Sequence, residues 1–85
     1  MSEEKSIDQM ASEANAAKSM LENEVFNMAF TQLNRQLIDQ ILASPPEAPE
    51  ERERLYAMYQ AGQLFVQQFV GLINNFELAK QQKDV

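Results

Sequence analysis

The residues of this sequence that could carry acid–base or metal chemistry are almost all carboxylates. The chain has 13 Asp and Glu residues but no histidine or cysteine, so it lacks the commonest general base and the usual zinc ligands. Helical bundles can bind metals through carboxylates, but the di-iron pattern also needs Glu-x-x-His pairs on facing helices. No Gly-rich phosphate loop is present, and no Ser or Thr has a nearby base. We therefore expect no catalysis, no cofactor and no metal.

Length and charge exclude further classes of protein. The 85 residues allow one small domain, and seven basic residues against thirteen acidic ones give a formal net charge of −6. Binding a phosphate backbone needs a basic surface, so we expect no direct contact with nucleic acid. No apolar run approaches the roughly 18 residues that span a bilayer, and the acidic N-terminus is unlike a secretory signal peptide. We expect no membrane contact and an intracellular location.

The three prolines divide the chain into helical segments. All of them lie within residues 45–49, and both flanks are rich in the helix formers Ala, Leu, Met, Gln and Glu. The sequence thus predicts an all-α protein, an antiparallel helical hairpin with a proline turn at residues 44–48 and an N-terminal helical extension. We expect residues 1–6 to be frayed and residues 7–85 to form a single helical-hairpin domain.

The N-terminal extension and the first hairpin helix carry apolar stripes on different faces. At 100° per residue, the stripe from Ile7 to Met28 points more than a quarter turn away from the stripe from Phe26 to Ile41. Either the helix breaks near residue 23, or it continues and packs against another surface. Asn23 followed by Glu24 fits a helix N-cap with an acidic first turn, which favours a break.

The second hairpin helix carries the strongest apolar pattern. Its seam of Leu55, Met58, Gly62 and Phe65 continues to Phe76 at alternating spacings of three and four, as in a coiled coil. It is also the longer helix, so pairing from the turn outward leaves its far end without a partner. Since the N-terminal stripe is mostly alanine and points elsewhere, we expect a second subunit to cover this end and complete a helical bundle.

No charged residue lies between Leu55 and Phe76, and the polar side of this segment consists of amides. Amides can be buried in an interface at a lower desolvation cost than charges, although a neutral solvent-exposed face would have the same composition. The predicted interface residues are Phe65, Gln67, Gln68, Phe69, Leu72, Ile73, Asn74, Asn75 and Phe76.

Gly62 lies on the seam in mid-helix, where glycine costs roughly 1 kcal/mol relative to alanine. Folding the hairpin brings it near Phe30 or Leu33. We interpret Gly62 and Phe30 as a packing notch and its ring, and we expect alanine at Gly62 to be neutral or mildly harmful. The alternative is a tolerated weak spot without a packing role.

Four segments carry a resemblance to a known type of protein, namely residues 20–26, 45–47, 51–56 and 77–79. In this order they resemble the small helical-hairpin proteins encoded among the head-assembly genes of tailed bacteriophages. Glu24 stands where those proteins usually have proline. The resemblance covers about residues 20 to 79, and it implies a component of the virion or of its assembly, located in the host cytoplasm or the virion, without catalytic residues.

The sequence therefore favours a non-enzymatic structural or assembly protein that forms homo-oligomers and acts through protein–protein contacts. The alternative hypothesis is a small acidic inhibitor or adaptor that binds a host or phage enzyme, with carboxylates in place of nucleic-acid phosphates. Such a mimic needs acids along one exposed face, whereas here they cluster at residues 3–24 and 47–53. This clustering favours assembly.

Overall fold

The computed structural model describes residues 5–83, which form three helices and no strand. They are α1 (Ile7–Glu22), α2 (Glu24–Ala43) and α3 (Pro49–Lys83). The expected all-α class is confirmed.

Helix α1 begins at an ordered cap. The Ser6 hydroxyl accepts a hydrogen bond from the Gln9 backbone N–H at 3.1 Å, and Asp8 lies in the first turn, where the helix dipole favours an anion. Lys5 forms an ion pair with Glu13 at 2.7 Å. We expected residues 1–6 to be frayed, and of these Lys5 and Ser6 lie in the described part of the chain, where they form the two contacts above. Residues 1–4 lie outside the described part of the chain.

A single residue separates α1 from α2. Asn23 has extended backbone angles, φ −71° and ψ 126°, and its Oδ1 accepts a hydrogen bond from the Phe26 N–H at 2.8 Å. The Asn27 amide donates back across the break to the Leu21 carbonyl oxygen at 2.7 Å. Of the two alternatives left by the sequence, the structure has the break. The first apolar stripe is therefore divided, with Ile7 to Leu21 on α1 and its last members, Val25 and Met28, on α2.

Residues 44–48 connect α2 to α3. Pro45 and Pro46 have no backbone N–H to extend α2, and the Ser44 hydroxyl donates to the Ile41 carbonyl oxygen at 2.6 Å. The Pro45 carbonyl oxygen accepts from the Ala48 N–H at 3.0 Å and from the Arg52 guanidinium at 2.8 Å. These bonds satisfy backbone groups that the helix ends leave unpaired.

Helices α2 and α3 run antiparallel. Far from the connection, the Phe26 and Phe69 rings meet with centroids 5.8 Å apart, and closer to it Gly62 faces Phe30. In these contacts the residue number increases along α2 as it decreases along α3, so the two helices have opposite directions. Leu37 and Leu55, both nearer the connection, are 5% and 3% exposed.

Helix α1 lies against the C-terminal part of α3. Met10 and Glu13 of α1 line a cavity of about 30 Å³ together with Leu72 and Asn75 of α3. The buried residues of α1 are both alanines, Ala14 and Ala17. Small side chains let two helix backbones approach closely, so this contact leaves little space between the helices.

The molecule is elongated and has little interior. Its extents are 57 × 32 × 21 Å, and its radius of gyration is 17.8 Å, against about 12 Å for a compact chain of this length. Its accessible surface is 6803 Å², about 1,700 Å² more than a compact monomer of this mass presents. Within residues 5–83 the buried core consists only of Ala14, Ala17, Leu37 and Leu55.

Candidate interaction surface

An apolar groove lies between α2 and α3, about halfway along the pair. It has a volume of about 230 Å³. We call it the aromatic groove, and its lining residues are Phe26, Ala29, Phe30, Leu33, Gly62 and Phe65. Three of them remain open to solvent: Phe65 is 58% exposed, Leu33 is 44% exposed, and Ala29 is also exposed.

The phenyl rings at the groove form a connected series. Phe26 stacks on Phe30 at 6.4 Å and meets Phe69 edge-on at 5.8 Å, while Phe69 meets Phe65 edge-on at 5.2 Å. Edge-to-face pairs of this kind contribute about 0.5–1.5 kcal/mol beyond the burial of their area. Phe65 is the last ring of the series, and its Phe69 contact fixes its position although most of it faces water.

Gly62 and Phe30, the two residues of the predicted notch, both line the groove. A Cβ atom built on Gly62 would lie 3.6 Å from Phe30 Cε1, which is an ordinary van der Waals contact. The notch therefore has room for a methyl group. We now expect alanine at Gly62 to stabilise the protein, because its better helix propensity meets no steric penalty.

The C-terminal end of α3 is covered by a different element from the one that we expected. Leu72, Ile73 and Phe76 are half-buried in the single chain, and α1 occupies the position beside α3 that we assigned to a second subunit. The expected misalignment of the α1 stripe assumed a helix continuous through residue 23. The break at Asn23 changes the direction of α1, so that Ala14 and Ala17 are buried.

The amides predicted for the interface are all exposed in the single chain. Gln67, Gln68, Asn74 and Asn75 face solvent, and Gln68 donates to the Leu64 carbonyl oxygen of its own helix at 3.1 Å. Gln67 lies 200° around the helix from Phe65, so the predicted interface residues do not share one face. Their burial in an assembly stays a prediction.

Sequence reasoning did not include Ala29 and Leu33 in the interface. Both lie at the edge of the α2 stripe, 80° and 40° from the buried Leu37. This angular offset from Leu37 could have indicated that the two residues lie beside the buried face. It identifies a groove only once the distance between α2 and α3 is known.

No charged residue of the described chain lines the aromatic groove. The Lys5 ammonium donates a hydrogen bond to the Glu13 carboxylate and holds its pKa below the usual range. Within residues 5–83, no three Asp or Glu side chains come close enough together to bind a metal ion. None of the three described helices is long and apolar enough to cross a membrane.

Comparison of the chain with protein-family models, with curated proteins and with solved structures yields no match. Inference about function therefore rests on the sequence and on the surface of this chain.

Proposed function

We propose that this protein is a non-enzymatic assembly protein whose working form is a homo-oligomer, a helical bundle built from several copies of the chain. It acts through helix-mediated contacts between protein surfaces. No catalytic group takes part in this role.

One observation carries the proposal, the mismatch between buried and exposed apolar side chains. Leu37 and Leu55 are the only large apolar residues buried within residues 5–83, whereas Val25 is 69% exposed and Leu42 is 78% exposed. Burying one such side chain stabilises by about 1.5–3 kcal/mol, against a total stability of about 5–15 kcal/mol for a domain. Covering several of them by association would therefore contribute much of the stability of the protein.

We further propose that the assembly is a bacteriophage virion or one of its assembly intermediates, in the host cytoplasm or the virion. The support is the resemblance of residues 20–79 to helical-hairpin proteins of phage head-assembly genes. The acidic-inhibitor hypothesis has less support. The segment of α3 between Leu55 and Phe76 carries no acid, so a continuous row of carboxylates along the long helix is missing.

Light scattering across a range of protein concentrations tests the proposal. We expect a mass of at least twice the monomer at high micromolar concentration and a midpoint of thermal unfolding that rises with concentration, because association stabilises the folded state by mass action. A monomer of constant mass with a concentration-independent unfolding midpoint would contradict the proposal.

A further inference from the structure

We propose that the aromatic groove is the surface through which two copies of this chain pair, with Phe65 of each copy inserted into the groove of the other. This inference rests on the proposed homo-oligomer and specifies its first contact.

The groove is self-complementary in shape. A two-fold interface uses the same patch on both copies, so the patch must offer both a projection and a recess. Phe65 is the projection, because it lies at the groove and is 58% exposed. The recess of about 230 Å³ lies between α2 and α3 and is bounded by Gly62 and Phe30, and glycine adds no side chain that would narrow it.

The charge distribution fits a second copy of the chain. Each copy carries a net charge of −6, so two copies repel unless the contacting face is neutral. All residues that line the groove are apolar. Of the three charged residues of α2, Arg35 and Asp39 line a separate depression with Thr31, Asn34 and Ile38, and Glu24 lies in the first turn of the helix and does not line the groove. A basic partner would find no acid at the groove, whereas a second copy brings no like charge to it.

The elongated chain as a whole exposes about 1,700 Å² more than a compact monomer, against the about 800 Å² that each partner contributes to a standard interface. The groove would form the centre of such a contact. Another depression, of about 430 Å³, is lined by Tyr56, Tyr59, Gln60, Gln63 and Leu64, all on α3 alone. It lies on one helix and includes two amide side chains, so it lacks the recess between two helices that would enclose a ring.

Two neighbouring residues give a matched test. Phe65 and Leu64 are 58% and 57% exposed and lie 100° apart on α3, and only Phe65 belongs to the groove. We would compare Phe65→Glu with Leu64→Glu, and Phe65→Ala with Leu64→Ala, by sedimentation velocity, with circular dichroism as the check on helicity. The alanine pair keeps the helix intact, since alanine is the best helix former.

We expect Phe65→Glu to be monomeric and Phe65→Ala to raise the dissociation constant about tenfold or more, since a buried ring is lost. Leu64→Ala should change it by no more than about twofold, and Leu64→Glu should still associate. If Phe65→Glu loses helicity, Phe65→Ala decides. If the wild-type oligomer persists in both Phe65 variants, or if Leu64→Glu dissociates it instead, the groove is not the interface. The proposed function would be unaffected by either result. A monomeric wild type would overturn both the groove as the interface and the proposed function.

Discussion

Helix α3 meets its two partner helices in contrasting ways. Against α1, the buried residues are the small Ala14 and Ala17, which are 4% and 3% exposed. Against α2 at the aromatic groove, large rings are present and Phe65 is 58% exposed. Small side chains let helices approach and exclude water, while large rings hold them apart and leave an open recess. In this molecule, the small side chains of α1 are therefore buried as fully as Leu37 and Leu55 of the hairpin, while Phe65 stays open.

Among the predicted changes, Ala17→Leu should have the largest effect on stability, because it places a larger side chain in the close contact between α1 and α3. We expect a loss of about 1–3 kcal/mol in the free energy of unfolding, since the larger side chain forces α1 away from α3. The matched control is Ala16→Leu, the same change at an exposed position of α1, for which we expect less than about 0.5 kcal/mol. Equal effects in urea titrations of the two variants would show that the α1–α3 contact is loose.

Asn23→Ala tests the break that allows α1 to reach α3. Removing the side-chain oxygen that accepts the Phe26 N–H should cost about 0.5–2 kcal/mol. Asn23→Asp keeps an acceptor at the same position and should retain most of the stability, measured by thermal unfolding at one protein concentration. A stabilised Asn23→Ala variant would instead indicate that one continuous helix through residue 23 is more stable than the break with α1 packed against α3.

Gly62→Ala tests the open contact between α2 and α3 at the aromatic groove. We expect stabilisation of up to about 1 kcal/mol from helix propensity. Gly71→Ala is the control, because a Cβ atom there meets nothing within 4 Å while one at Gly62 meets Phe30. The difference between the two unfolding free energies isolates the packing contribution. If Gly62→Ala is the worse variant by more than about 0.5 kcal/mol, the groove is tighter in solution than its geometry indicates.

The smallest expected effect is a pH dependence at the start of α1. Because Lys5 lowers the pKa of Glu13 in the folded chain, the unfolded state binds more protons as the pH falls. The contribution of this pair to stability is therefore complete above the ordinary glutamate pKa of 4.5 and is lost as the pH falls through the lower folded value. Glu13→Gln should flatten the dependence of the unfolding midpoint on pH in this range, and an unchanged profile would show that the pair contributes nothing.

The sequence was sufficient to predict the helical class, and it identified Asn23 as a candidate cap and Phe30 as a candidate neighbour of Gly62. These depend on local rules, namely helix propensity, capping and spacing along one helix. The position of α1 depends on the direction that the chain takes after one non-helical residue, which no periodicity encodes. The exposure of Phe65 depends on the distance between α2 and α3, and that distance is set by all the side chains between them.

The contact between α1 and α3 joins parts of the chain that are far apart in order of synthesis. Met10 and Leu72 line the same small cavity although about sixty residues separate them. At about 5–20 residues per second, α1 leaves the ribosome several seconds before its docking site on α3 exists. During that interval the apolar side of α1 has no partner on α3. Helix α1 can therefore dock only after α3 has been synthesised beyond Leu72, so this contact cannot guide the early folding of the chain.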